Sequence, residues 1–360
     1  MLSGGSFLSD GGSEGGRLFS EGLYGCMFTP PLTCRKGTEK VLDDEEKGLQ
    51  LTKLIPVMDA NQEFAVSKRI HRIPFYKQYF AVAEEICEPE SVQKDKDIAD
   101  CPVWKDHNAH EARLLRMPYY GKALHDVTFS VSSFDFRTFM THLLAGGALM
   151  NLFGVVHRDL HQGNILVDTY NVPRIIDFNL SFTAPFERVK AKDLSHRYDY
   201  TIAQEPPDST LINALYHGRS ASEVIQSLCF RKRVMNKISS LLGVSKRDMY
   251  AQLMRFYKGS RVMQAGDMER WFQLYYRVID SWAVGVCLVD LVHKLMLWPA
   301  FAAKMEAVMP RCRPILRKLC AVHPIERIDC VQALYLMDSE HPVLRRYGKR
   351  WLDVVGYPTR

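Results

Sequence analysis

The chain has 360 residues, of which 47% are hydrophobic, and a formal net charge of +6. This composition predicts a folded protein with one large domain or two lobes and argues against a disordered chain. The longest uncharged apolar run, Leu143 to Val156, is too short to cross a bilayer, and the first residues lack the pattern of a secretory signal, so neither a transmembrane segment nor export is expected.

The nine cysteines are odd in number and contain no CxxC pair, so the sequence predicts free thiols in a reducing compartment rather than disulfides. Zinc binding by Cys34, Cys87 and Cys101 with His107 and His110 is not expected, because their spacing is irregular.

Residues 1–16 are rich in Gly and Ser and predict a flexible tail, with the folded part beginning near Arg17. Residues 17–28 alternate glycine with apolar residues, which indicates short strands and a tight turn. Residues 49–54 alternate like a half-buried strand, and a helix is expected from Asp59 to Arg72.

The charged stretch 88–108 predicts an exposed loop, and residues 112–118 predict a strand that Pro118 ends. Apolar residues recur at helical spacing from Phe134 to Phe153, and three short branched runs between 155 and 181 indicate small strands. The chain after Gln204 is helical in period. Strands followed by helices predict an α+β fold.

The stretch HRDLHQGN at 157–164, followed by IIDFN at 175–179, carries the chemistry. Asp159 could accept the proton of a substrate hydroxyl, whereas Asn164 and Asp177 offer the hard oxygen atoms that Mg²⁺ prefers. A positioned hydroxyl, neutralising metal ions and a nucleotide cradle are what phosphoryl transfer requires.

These two motifs resemble the catalytic loop HRDxxxxN and the metal-binding DFG of protein kinases. The resemblance implies a bilobal protein-kinase-like fold, with a small β-rich N-lobe (17–117) and a larger, mostly helical C-lobe (118–360). It implies ATP and Mg²⁺, or Mn²⁺, as cofactors, and proteins as substrates, with Ser or Thr as the acceptor in preference to Tyr. Oligomeric state is left open.

The resemblance extends upstream. SEGLYGCM at 20–27 is similar to the glycine-rich loop, Lys53 to the lysine that holds the α and β phosphates, and Glu63 to its helical partner, with Lys68 and Glu84 as rivals. The hinge would begin at Met117. The ATP-binding residues that the resemblance implies are Gly22, Tyr24, Gly25, Met27, Lys53, Glu63, Met117 and Tyr119.

Downstream, Pro206-Pro207-Asp208 resembles the APE element, and DSWAVG at 280–285 resembles the helix that anchors the catalytic loop. Arg327 resembles the late arginine that pairs with the APE carboxylate, here Asp208. Asp280, Trp282 and Arg327 are therefore expected to be buried supports.

Between these two elements lies an insert of about 210–275, called the basic insert below. The wider stretch 210–279 holds 12 Lys and Arg against 4 Asp and Glu, which leaves a net charge of −2 for the rest of the chain. Two or three helices are predicted, with residues 231–233 (RKR) exposed. An acidic partner, nucleic acid, anionic lipid or merely a solvated face would each account for the charge.

FxPPLxC at 28–34 is similar to kinases of large nucleocytoplasmic DNA viruses, which implies a location in the cytoplasm of an infected host cell or packaging in the virion.

Two positions depart from the family. His161 replaces a lysine, so charge balance at the phosphate would depend on its protonation. Asn179 replaces the DFG glycine, where its tolerance of positive φ would preserve the turn. The alternatives are a small-molecule phosphotransferase of similar fold and a pseudokinase or virion scaffold.

Overall fold

A computed structural model of the chain describes residues 17–22, 25–42, 49–91, 97–106 and 109–359. Its fold is mixed α+β, with a small antiparallel sheet and a larger helical portion. The described residues form two compact units: one contains the residues up to Ala65 together with Val82–Tyr119, and the other contains Val66–Ala81 and Tyr120 onward.

The first unit is built on a six-stranded antiparallel sheet of order β1-β2-β4-β6-β5-β3. Its strands are β1 (Arg17–Gly22), β2 (Gly25–Thr29), β3 (Lys40–Val41), β4 (Gln50–Pro56), β5 (Glu85–Cys87) and β6 (Ala112–Pro118). Helix α1 (Val57–Ile70) follows β4, and a 3-10 turn (Asp97–Asp100) and α2 (Pro102–Asp106) precede β6.

Strand β4 is a central strand whose residues from Leu51 to Ile55 are all buried, which corrects the half-buried strand expected for 49–54. It pairs with β2 on one side and β6 on the other. Leu54 lies in one apolar cluster and Leu51 and Ile55 in another. Because successive residues of a strand point to opposite faces, the two clusters cover both faces of the sheet, and Lys53, between Leu51 and Ile55 on one face, is buried as well.

Two disulfides correct the expectation of free thiols. Cys26 is bonded to Cys101 and Cys34 to Cys87, over sequence separations of 75 and 53 residues. All four sulfur-bearing residues belong to one apolar cluster of the first unit. Cys101 lies between a 3-10 turn and α2, so the stretch 88–108 is only partly a loop. His107 lies outside the described residues.

The disulfides predict a definite thiol count. Alkylation of the denatured chain without reductant is expected to label five cysteines, Cys229, Cys287, Cys312, Cys320 and Cys330, whereas all nine should react after reduction. Mass spectrometry of the labelled peptides gives the count. A Cys26→Ser/Cys101→Ser variant should again give five, since only its Cys34–Cys87 pair remains protected. Seven labelled cysteines in that variant would contradict the assignment.

The second unit is mostly helical. It contains β7 (Lys122–Ala123), α3 (Phe136–Phe153), β8 (Val155–Val156), β9 (Ile165–Val167), β10 (Pro173–Ile175) and β11 (Phe182–Thr183). Its later helices are α4 (Ala191–Leu194), α5 (Pro207–Tyr216), α6 (Ala221–Phe230), α7 (Arg233–Leu242), α8 (Lys246–Gly259), α9 (Arg261–Gln264), α10 (Met268–Tyr275), α11 (Ile279–Leu295), α12 (Pro299–Leu319), α13 (Cys330–Met337) and α14 (Lys349–Val355). Short 3-10 turns lie at Tyr76–Gln78, Leu124–Asp126, Gln162–Asn164, Phe186–Arg188 and Tyr276–Val278, and a π turn lies at Leu344–Gly348.

Helix α3 is positioned by its ends. Asp135 caps its start by accepting a hydrogen bond from the Thr138 N–H at 2.7 Å, and Gly154 ends it with a positive φ of 68°. The chain then enters β8, which pairs with β11, while β9 pairs with β7 and β10. Residues 157–164 therefore connect β8 to β9, and residues 176–181 connect β10 to β11, so each of these two loops joins the two small sheets.

The basic insert contains more helices than expected. Three helices of 10 to 14 residues, α6 to α8, are followed by the short α9 and α10. Arg231 and Arg233 are exposed, but Lys232 between them is buried, which corrects the expectation that all three are exposed. Across the described ranges, no helix combines the length and apolarity needed to cross a membrane.

Candidate functional site

Asp280 fixes the start of the loop that carries Asp159. Its carboxylate accepts hydrogen bonds from the backbone N–H groups of His157 at 2.7 Å and Arg158 at 2.9 Å. Arg158 has a positive φ of 71°, a conformation that costs a non-glycine residue energy and persists only where its surroundings hold it. Burial raises the pKa of Asp280, and its hydrogen bonds oppose this shift. The buried carboxylate thus holds the backbone immediately before Asp159.

Asp159 and Asn164 are joined within this loop. The Asn164 side-chain nitrogen donates to the Asp159 backbone carbonyl at 2.9 Å. This bond fixes the orientation of the side-chain amide and leaves the amide oxygen for another partner. The Asp159 carboxylate accepts a 2.8 Å hydrogen bond from the side chain of Gln204. One carboxylate and one amide oxygen are therefore presented by a loop whose backbone is fixed.

His161 is held in its neutral form. Its Nδ1 accepts a hydrogen bond from the Gly163 N–H at 3.0 Å, and its Nε2 lies 3.9 Å from Asp159 Oδ2. Burial lowers the pKa of His161, and the carboxylates of Asp159 and Asp177 only partly oppose the shift. At neutral pH this residue therefore lacks the positive charge that a lysine would bring to the same position.

Asp177 is brought next to this loop by backbone pairing. The N–H of Ile176 donates to the Asn164 carbonyl at 3.0 Å, so the segment carrying Asp177 runs beside Asn164. Phe178 is buried and packs against His157, with ring centroids 4.7 Å apart. The two residues expected to bind a metal, Asn164 and Asp177, are therefore held on neighbouring segments.

The positive φ expected at Asn179 belongs instead to Asp177, whose φ is 62°. This corrects the assignment from sequence, and Asp is also among the residues that tolerate this region. Asn179 is buried, and neither atom of its side-chain amide has a hydrogen-bond partner in the part of the chain described. Its buried amide is thus an unsatisfied polar group two residues from Asp177.

Asp208 and Arg327 form an ion pair in the helical unit, with an Nη2–Oδ1 distance of 2.6 Å and no exposure of either side chain. The other carboxylate oxygen of Asp208 accepts from Trp271 Nε1 at 3.2 Å. Trp282 is also fully buried, and its Nε1 donates to the Ala203 carbonyl at 3.0 Å. The three expected supports, Asp280, Trp282 and Arg327, are all buried.

In the first unit, Lys53 and Glu63 form a buried ion pair. Lys53 Nζ on β4 lies 2.8 Å from Glu63 Oε2 on α1, and their side chains are 8% and 4% exposed. Of the two rivals, Lys68 is exposed and Glu84 accepts a hydrogen bond from Gln50 at 3.4 Å. A buried ammonium group paired with a carboxylate is suited to bind a phosphate oxygen.

The expected glycine-rich loop is the β1–β2 hairpin, in which Gly22 pairs with Gly25. Tyr24 lies outside the described residues. Met27 is half-buried and packs against the apolar cluster that contains Met117. Tyr119 packs on the same cluster, and its N–H donates to the Leu49 carbonyl at 2.9 Å. The N–H of Tyr119 therefore already has a partner within the chain, and the hinge role expected from Met117 onward stays a prediction.

Gly25 has no room for a side chain. A Cβ at this position would lie 2.1 Å from Ile55 Cγ2 and 2.5 Å from the Leu54 backbone oxygen. Gly25→Ala is therefore expected to reduce the free energy of unfolding by about 1–3 kcal/mol through overpacking, as measured by urea denaturation. Gly259→Ala is the matched control, because a Cβ at residue 259 would meet no other atom within 4 Å. Equal stability of the two variants would contradict the prediction.

Sequence reasoning missed Gln204, Glu205 and Lys232. Glu205 accepts hydrogen bonds from His196 Nε2 at 2.9 Å and Thr210 Oγ1 at 2.8 Å, and Lys232 Nζ donates to its backbone carbonyl at 2.7 Å. The hydrogen bond that His196 donates to Glu205 raises the pKa of His196. In the sequence, Gln204 and Glu205 had one signal, their nearness to Pro206, whereas Lys232 lies 27 residues after Glu205 and had none. A search against models of known protein families finds none that matches this chain.

Proposed function

We propose that this chain is an ATP-dependent protein kinase with a bilobal kinase-like fold, and that it transfers the γ-phosphate to Ser or Thr hydroxyls of proteins. The resemblance to viral kinases supports a role in infected cells. The observation that carries the proposal is the loop 157–164, in which Asp280 holds two successive backbone N–H groups and Asn164 binds the Asp159 carbonyl. Such support presents a carboxylate and an amide oxygen in fixed positions, as phosphoryl transfer requires.

In this proposal Asp159 orients the acceptor hydroxyl and accepts its proton. The donor set of Asn164 and Asp177 fits Mg²⁺, because both supply hard oxygen ligands and their segments are joined by the bond between Ile176 N–H and the Asn164 carbonyl. When bound, the metal ion neutralises charge on the phosphates. Lys53, which is paired with Glu63, is proposed to bind the nucleotide phosphates.

The neutral state of His161 has a consequence for this function. A neutral imidazole contributes little positive charge beside the transferred phosphate, so the negative charge of that phosphate would be balanced mainly by the metal ion that Asn164 and Asp177 would hold. A neutral His161 also forms no ion pair with Asp159, so the Asp159 carboxylate stays available to the acceptor hydroxyl.

The test is transfer of radiolabelled γ-phosphate from ATP to a mixed protein substrate that includes the enzyme itself. Wild type, Asp177→Ala and the exposed control Asp126→Ala are compared with Mg²⁺, with Mn²⁺ and with EDTA. Transfer by the wild type and the control that disappears in Asp177→Ala and in EDTA supports the proposal. Transfer that persists in Asp177→Ala would refute the metal role of this residue.

A small-molecule phosphotransferase is the second candidate, since the neutral His161 departs from protein kinases. A panel of protein and small-molecule acceptors separates the two activities. A pseudokinase or virion scaffold predicts no transfer at all, and ATP with Mg²⁺ would then fail to raise the melting temperature of the wild type. In that case the exposed charges of the basic insert would be tested for an acidic partner, nucleic acid or anionic lipid.

A further inference from the structure

Three successive residues, 203 to 205, are each held by a donor or acceptor from a different part of the second unit. The Ala203 carbonyl accepts from Trp282 Nε1 at 3.0 Å, Gln204 Nε2 donates to Asp159 Oδ1 at 2.8 Å, and the Glu205 carbonyl accepts from Lys232 Nζ at 2.7 Å. The central member of this series is the side chain that binds the Asp159 carboxylate. The two outer bonds fix the backbone on either side of it.

Lys232 is unusual because it is a lysine with only 1% of its surface exposed. It comes from the junction of α6 and α7 in the basic insert, 27 residues after Glu205. An ammonium group is costly to bury unless it is hydrogen-bonded and balanced by negative charge. Burial lowers the pKa of Lys232 to about 8, and the carboxylates of Glu205, Asp199 and Asp208 oppose the shift, so the group is mainly protonated at neutral pH.

The Glu205 side chain gives the segment a second attachment. Its carboxylate accepts from His196, Ser209 and Thr210, so its direction is set without Lys232. The bond from Lys232 therefore acts on the Glu205 backbone carbonyl, which belongs to the peptide bond between Glu205 and Pro206, one residue after Gln204.

We propose that Lys232 is a positioning residue for Asp159: it holds the Glu205 carbonyl, and this keeps the adjacent Gln204 amide on the Asp159 carboxylate. The basic insert thereby contributes to the geometry of the loop 157–164. The kinetic part of this inference rests on the proposed kinase function, whereas the structural part does not.

The structural part is tested by NMR on the full-length, ¹⁵N- and ²H-labelled protein. The side-chain amide signals of Gln204 are assigned by their loss in Gln204→Ala, and their position without the Asp159 bond is given by Asp159→Ala. In Lys232→Met these signals are expected to move to the Asp159→Ala position. In the control Arg231→Met, which removes an exposed neighbouring charge, they should stay at the wild-type position. Wild-type signals in Lys232→Met would overturn the inference.

A second measurement decides the question if Lys232→Met does not fold. Coupling between two groups is reciprocal, so loss of the Gln204 side chain must also disturb Lys232. The ammonium signal of Lys232 is followed in the wild type and in Gln204→Ala. A changed shift or faster hydrogen exchange in Gln204→Ala supports the inference, and an unchanged signal overturns it.

The kinetic part is tested with the phosphate-transfer assay. Lys232→Met is expected to lower kcat by about 10- to 100-fold, which is the range expected for a misplaced reactive group, with KM for ATP changed less than about twofold. Because Lys232 acts through Gln204, the double variant Lys232→Met/Gln204→Ala should be no slower than the slower single variant. Additive losses would refute this route. An inactive wild type would refute the kinase proposal alone, because the NMR result stands without it.

Discussion

Arg327→Met is expected to lower the free energy of unfolding by about 3–5 kcal/mol, the usual consequence of removing one partner of a buried ion pair. Both side chains of the Arg327–Asp208 pair are fully buried. Without the guanidinium group, the buried Asp208 carboxylate would keep only the 3.2 Å hydrogen bond from Trp271. The carbonyls of Ala321 and Val278, which also accept from Arg327, would lose a donor. Urea denaturation monitored by tryptophan fluorescence measures the change.

The matched control is Arg311→Met, which removes an exposed arginine from α12 and should change stability by less than about 0.5 kcal/mol. An Asp208→Asn/Arg327→Met double variant separates the charge from the packing. Because it leaves no unpaired carboxylate, it should be more stable than Arg327→Met alone. A loss below about 1 kcal/mol in Arg327→Met would contradict the importance given to the pair.

Much of the local structure could be predicted from the sequence because its signals are local. Residues 112–118 form β6 as expected, and the helix expected from Phe134 is observed as Phe136–Phe153. Both depend on apolar periodicity and on end signals such as Asp135 and Gly154. The ion pair of Lys53 and Glu63 also lies where the resemblance to kinases placed it.

What the sequence could not supply depends on partners far away along the chain. The disulfide between Cys26 and Cys101 spans 75 residues, and only folding of the first unit brings the two sulfur atoms together. Lys232 lies between two arginines, and its burial is determined by the Glu205 carbonyl and not by its neighbours in sequence. A run of charged residues predicts solvent-exposed side chains on average, so the pattern cannot identify a single lysine that points into the interior.

Asp159→Asn is expected to lower kcat for phosphate transfer by about 10²- to 10⁴-fold, because the amide cannot accept the proton of the acceptor hydroxyl. The loop should keep its shape. Asp280 still holds His157 and Arg158, and the Asn side chain retains an oxygen for Gln204. Affinity for ATP should therefore be unchanged, which isothermal titration calorimetry with Mg²⁺ can measure alongside the steady-state kinetics.

The exposed control Asp126→Asn should leave both quantities unchanged. Comparison with Asp177→Ala adds a further distinction, since loss of a metal ligand should weaken Mg²⁺-dependent ATP binding as well as transfer. If Asp159→Asn and Asp177→Ala lost ATP affinity to the same extent, the two carboxylates would share one role in nucleotide binding. If Asp159→Asn retained full kcat, the hydroxyl would be activated elsewhere, and the bond from Gln204 to Asp159 would be a purely structural link between the loop 157–164 and residue 204.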